Sequence, residues 1–362
     1  MQKTTKREYG IDLLRIISMM MVTMMHVNGH GGIINAATPF SAQYEFAWLL
    51  EDFFLVSINC FVMITGYVYF DKEIKYYHLF TLWAEVLFYS LFILIGLKFL
   101  FPEDIGLINL WKAVIPTFYT DNNFSRYWFF TSYVGMFILS PFVSLGLKHF
   151  NKKQDITVFT GMFIIFSFLP TVLGQEYAFC LNQGYSTLWF IVLYYTGGLI
   201  RKYNIFEKLT THKWLLIYFI CAILAWMIRY FLEKQGVIEA IFALNSFDCY
   251  SSSLYLIGGI AMLCAFIRVK VTNPAVMAVI SFFSPVCFGV YLIHDNMALS
   301  YYFISGKFAF LAQKNPVIMC IGIVASGLGI FVICSLVDWI RELLFRKLKV
   351  EEKLAGLEQR FS

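Results

Sequence analysis

Charge is scarce in this chain. Asp, Glu, Lys and Arg make up 14% of 362 residues, against about 25% in soluble domains, while 59% are hydrophobic and 39 are Phe. That balance excludes a water-soluble globule, which could not hide so much apolar surface. The ten-residue alternation of a membrane β-barrel is also missing; the apolar runs are near-continuous and about twenty residues long. Eight cysteines show no CxxC spacing. Six lie in apolar runs, where a reduced thiol packs as a small hydrophobe. Cys180 and Cys249 fall in loops, which leaves a disulfide between them open. There is no internal repeat, which counts mildly against a secondary transporter. The first apolar run has no small-residue cleavage site, so it is expected to stay as a helix.

What is present reads as an all-α polytopic membrane protein of about ten spans. These are expected near 10–29, 47–70, 79–101, 127–147, 156–174, 187–203, 213–232, 250–267, 276–296 and 316–340, in one domain over 1–362. The sixth is short, and the ninth contains Pro285. The loop charges alternate. One set of loops, from Lys3, Lys6 and Arg7 to the residues after Asp338, holds 20 of the 28 Lys and Arg. The other set holds five: Lys112, Arg126, Lys234, Lys307 and Lys314. By the positive-inside rule both termini are then cytoplasmic. The tail from Arg341 onward reads as a basic interfacial helix near anionic lipid.

Several polar residues interrupt the spans. Arg15 and His26 bracket an uncharged stretch of the first span. Eleven positions are about 20° past three helical turns, so both side chains share one face, about 16 Å apart along the axis. Ionisable groups in a span are costly and point to function. Asp12 is one turn before Arg15 and can pair with it. Arg15 then either snorkels to the headgroups in that pair or faces the bundle and binds an anion. His26 and His30 have the i, i+4 spacing of two metal ligands, but no carboxylate follows at ligand spacing, and Gly29, Gly31 and Gly32 end the helix. No metal is therefore expected. His294 closes the ninth span at the depth expected for His26. Ser57, Asn59, Thr65 and Gly66 in the second span read as packing devices or as supporting polar groups. Glu85, near the inner end of the third span, needs a basic loop partner or a wet cavity. Trp128 and Trp189 fit an interfacial aromatic belt.

Four segments carry a family resemblance. They are Ile11-Asp12-Leu13-Leu14-Arg15 running on to His26, Phe61-Val62-Met63-Ile64-Thr65-Gly66-Tyr67, Tyr127-Trp128-Phe129-Phe130 followed by Pro141, and Tyr291-Leu292-Ile293-His294. In order and spacing they resemble the integral-membrane acyltransferase family 3, whose members O-acylate bacterial surface polysaccharides and glycolipids. The chain departs from the family in the loop after the second span. Lys72, Lys75 and His78 stand where many members have Arg-x-x-Arg. It is also expected to be a stand-alone form, without an esterase-like domain.

The resemblance implies a multi-pass enzyme of the bacterial cytoplasmic membrane. It implies an acyl-CoA donor, acetyl-CoA above all, as substrate rather than resident cofactor. The acceptor would be a carbohydrate or glycolipid, with membrane lipid around the protein and no nucleic-acid partner. It makes Arg15, Asp12, Lys72 and Lys75 donor-binding residues, and His26 and His294 catalytic. Asn59, Thr65, Glu85, Trp128 and Tyr291 become supporting polar residues. A sugar hydroxyl needs a base, and imidazole suits that role; His294 would orient His26 or donate to the developing oxyanion. The rival reading is a transporter or flippase using the same polar track.

Overall fold

The computed structural model describes residues 7–100, 127–174, 177–235 and 248–361. It is 83% helical, without a strand among the described residues. The expected long loop 101–126 lies outside them. The order is α1 (Tyr9–Asn28), α2 (Ile33–Ala36), α3 (Ala42–Phe54), α4 (Val56–Tyr69), α5 (Tyr77–Leu100), α6 (Trp128–His149), α7 (Lys152–Phe163) and α8 (Leu169–Leu173). It continues through α9 (Thr187–Lys202), α10 (Thr211–Lys234), α11 (Ser253–Ile267), α12 (Pro274–Phe283), α13 (Cys287–His294), α14 (Met297–Phe303), α15 (Pro316–Lys347) and α16 (Val350–Phe361). Eight stretches are long and apolar enough to cross a membrane. α9, at 16 residues, and α11, at 15, are shorter. The shortening of α11 was not expected. Ser251, Ser252 and Ser253, all buried, take the place of its first apolar turn.

Local chemistry sets the helix ends. Asn273-Pro274 and Asn315-Pro316 each place a capping amide before a proline whose fixed φ starts a helix. Asn151 and Gln154 form a reciprocal capping box at α7. Pro285 breaks the ninth apolar run into α12 and α13 through a short 3-10 turn, Ser284–Val286. Helices prevail because lipid offers backbone amides no other partner.

Contacts cluster the chain into two units. The first comprises Met1–Val22, Leu49–Lys72 and Phe142–Pro285. Here α4 lies along α9 at backbone contact: a Cβ on Gly66 would strike the Tyr194 carbonyl, and one on Gly197 the Met63 carbonyl. Trp189 is fully buried, and its indole donates to Asn59 Oδ1 at 3.1 Å. The aromatic-belt reading of Trp189 is therefore corrected: a polar partner inside the unit draws its N–H inward. Asp155 is buried and accepts from Lys202, Tyr195 and Tyr203 at 2.5 to 2.8 Å. Cys180 and Cys249 are both free thiols, so the disulfide left open above is not formed.

The second unit comprises Thr23–Trp48, Glu73–Pro141 and Val286–Ser362. Its core packs α13 against α15 and α5. A buried charge network locks it. Arg341 donates to both Asp338 oxygens at 2.9 and 2.7 Å and lies 3.2 Å from Glu85, while Tyr89 donates to Asp338 at 2.7 Å. Arg341 thus belongs inside α15, which runs on to Lys347, and not in the basic tail as expected. The partner of Glu85 is a helical arginine rather than a loop cation. The tail helix is α16, and its Glu358 carboxylate accepts the backbone N–H groups of Tyr76 and Tyr77 at the start of α5.

Candidate active site

α1 carries polar groups at both ends. In its first turn, within the first unit, Asp12 is buried and accepts from two guanidinium groups. Arg7 Nε is 2.6 Å away and Arg15 Nη1 2.8 Å. The Ser284 hydroxyl adds a third donor at 3.0 Å, and Arg7 also donates to Ser281. The Asp12–Arg15 pair expected from the i, i+3 spacing forms. Two guanidinium groups against one carboxylate leave net positive charge. Arg7 and Arg15 keep 42% and 32% of their side chains exposed, so their remaining N–H groups can meet a solvent-borne anion.

The last turn of α1, within the second unit, delivers His26 to a cluster of imidazoles. His30 stacks on it with ring centroids 4.5 Å apart, and His294 is tilted against it at 5.0 Å. Asp295 Oδ1 lies 3.5 Å from His26 Nδ1. His30 sits in the turn after α1, which is tied to a second loop by Gly306 N–H to His30 C=O and Phe308 N–H to Gly31 C=O, both 3.0 Å. Tyr127 holds the far end of α13. Its hydroxyl donates to Leu292 C=O at 2.7 Å and accepts from Asn296 at 2.9 Å. Asp295 follows the last residue of α13 and keeps only 11% of its side chain exposed.

The tautomer of His294 is fixed by its partner. Nδ1 is 2.6 Å from the Val290 carbonyl, which can only accept, so Nδ1 carries the proton. In the neutral ring Nε2 is then a bare lone pair. It is buried and has no hydrogen-bond partner among the described residues. A neutral His294 therefore has no proton to offer an oxyanion, which removes one of the two roles expected for it.

The other expected residues have local partners. Asn59 is held between Trp189 and the Tyr250 carbonyl. The Thr65 hydroxyl turns back to Phe61 C=O at 3.4 Å. Trp128 meets Phe129 edge-on at 5.9 Å. Tyr291 is buried, with its oxygen 3.3 Å from Phe129 N–H and its ring edge-on to Tyr127. Lys72 and Lys75 are exposed beyond α4, with Lys72 over the Tyr69 ring at 5.8 Å; neither joins the Asp12 group among the described contacts. Sequence reasoning missed Arg7, Ser284 and Asp295. Arg7 looked like a loop charge, and Ser284 is 272 positions from Asp12. Asp295 was legible as the neighbour of His294.

Asp295 also supplies the carboxylate whose absence argued against metal. Donor atoms of His26, His30 and Asp295 lie within 4.8 Å of one another. The ring geometry fits a cation poorly, however. Imidazole gives a metal its in-plane lone pair, and the planes of His26 and His30 are only 26° apart in a stack. Stacked rings direct those lone pairs along separate planes rather than to one point.

The model of acyltransferase family 3, described as an acyltransferase domain, matches residues 8–335. The chain belongs to this family. It is thus a membrane acyltransferase. No curated protein and no solved structure matches it.

Proposed function

We propose that this acyltransferase moves an acyl group, acetyl above all, from a cytoplasmic acyl-CoA to a hydroxyl of a surface polysaccharide or glycolipid. The acceptor lies on the outer side of a bacterial cytoplasmic membrane. The observation that carries the reading is that one helix of an acyltransferase bears a cationic group at one end and clustered imidazoles at the other. Arg15 and Arg7 take the donor's phosphates as charge-assisted hydrogen bonds. Asp12 holds both side chains in place.

His26 is the base. The acceptor oxygen attacks the thioester carbonyl carbon as its proton passes to His26, the carbon–sulfur bond breaks, and the proton leaves on the thiol of CoA. Asp295 beside Nδ1 orients the ring and stabilises the imidazolium, the part a carboxylate plays behind a catalytic histidine elsewhere.

The test is made in the source cells and on purified protein. Deleting the gene removes ester mass from the surface glycan or glycolipid, and the purified chain consumes acetyl-CoA only with that acceptor. An unchanged glycan with no acyl-CoA turnover would refute the reading and favour transport.

A further inference from the structure

The two imidazoles do not have equal jobs. His26 has Asp295 at one nitrogen and its other nitrogen for the reaction. His294 is committed to the Val290 carbonyl at Nδ1 and holds out a bare Nε2, though only 3% of the residue is exposed. A buried acceptor without a donor is destabilising. Such atoms in native proteins call for an explanation, such as an unseen ligand group. No neighbour supplies the donor. Among the described residues no hydroxyl, amide or ammonium group bonds to Nε2. The nitrogen points away from the backbone of α13, because the opposite nitrogen is spent on it.

We infer that His294 Nε2 accepts a second hydroxyl of the acceptor, on the carbon next to the one acylated, so that the substrate is a 1,2-diol. The inference rests on the acyl-transfer reading above and narrows its acceptor. With the rings 5.0 Å apart, one sugar ring can present neighbouring hydroxyls to both. His26 takes the proton of the reacting oxygen, and His294 only receives a hydrogen bond. The pair would read a vicinal diol and discriminate against a lone hydroxymethyl group or a hydroxyl flanked by substituted carbons. A site built to bond a hydroxyl rejects analogues that lack it far more strongly than an apolar pocket rejects a shape.

The position of the ester decides the matter. The acylated glycan is isolated from wild-type cells, and NMR locates the ester that the gene deletion removes. The expected result is an ester on a ring carbon whose neighbour bears a free hydroxyl. An ester on an isolated hydroxyl overturns the inference while leaving acyl transfer intact, and no ester difference removes the acyl-transfer reading itself. Variants supply the second arm, in membranes supplied with acetyl-CoA and the deacylated glycan. Gln can place an amide oxygen near the Nε2 position, so His294→Gln should stay within about threefold of wild type, whereas His294→Leu should lose about tenfold or more. Equal losses in the two variants would count against the inference.

Discussion

Two polar groups inside the second unit are built on opposite principles. Around Arg341 every charged group has a partner: Asp338 takes two guanidinium bonds and a tyrosine hydroxyl, and Glu85 and Glu342 lie beside the same guanidinium. Around His26 the accounting stays open, with stacked and tilted rings, a carboxylate at 3.5 Å and a lone pair with no donor. A closed network has little to offer a ligand, and its energy goes into holding helices together. An open one is costly until something binds. The Asp12 group lies between these cases, with its carboxylate saturated and its two arginines partly exposed.

This contrast predicts that the first network fails in stability and the second in rate. The largest effect falls on His26→Ala, with acyl transfer down by about 10²- to 10⁴-fold and thermal unfolding in detergent nearly unchanged. Full turnover in that variant would leave the cluster without its base. Arg341→Met reverses the pattern. Asp338 and Glu85 lose their common partner, and stability should fall by about 3–5 kcal/mol, read as a lowered unfolding temperature. A variant as stable as wild type would mean the network is ornamental.

Arg15→Ala, in the intermediate group, should raise the KM for acyl-CoA by about ten- to a hundredfold with little change in kcat, since the charge-assisted bonds lost amount to roughly 1.5–3 kcal/mol. A purely catalytic loss would place Arg15 elsewhere in the reaction. The smallest effect falls on Asp295→Asn. An amide in place of the carboxylate no longer stabilises the imidazolium, so kcat should fall about tenfold with little change in KM or thermal unfolding. An unchanged kcat would separate Asp295 from the base.

The class of fold was legible because lipid forces long apolar helices, and their periodicity placed Arg15 and His26 on one face. Neighbour relations between helices were not. Periodicity says which way a side chain points, not what it meets. Asp12 was paired with the arginine one turn away, yet Arg7 and Ser284 reach it as well. Trp189 looked like a belt residue until Asn59 proved to hold its indole. From the sequence Arg341 reads as a tail charge, because a buried arginine is improbable without its two acids in view. Residue type alone reads Asn59, Thr65 and Gly66 as packing devices or supporting polar groups; Asn59 bonds Trp189 and Tyr250, Thr65 bonds Phe61, and Gly66 admits the backbone of α9.

The contact between Glu358 and the first amides of α5 also bears on how the chain is made. Translation completes α5 some 280 residues before the carboxylate that caps it exists. Until then those two N–H groups rely on water, so the Glu358 cap is a late addition that ties α16 to an α5 already made.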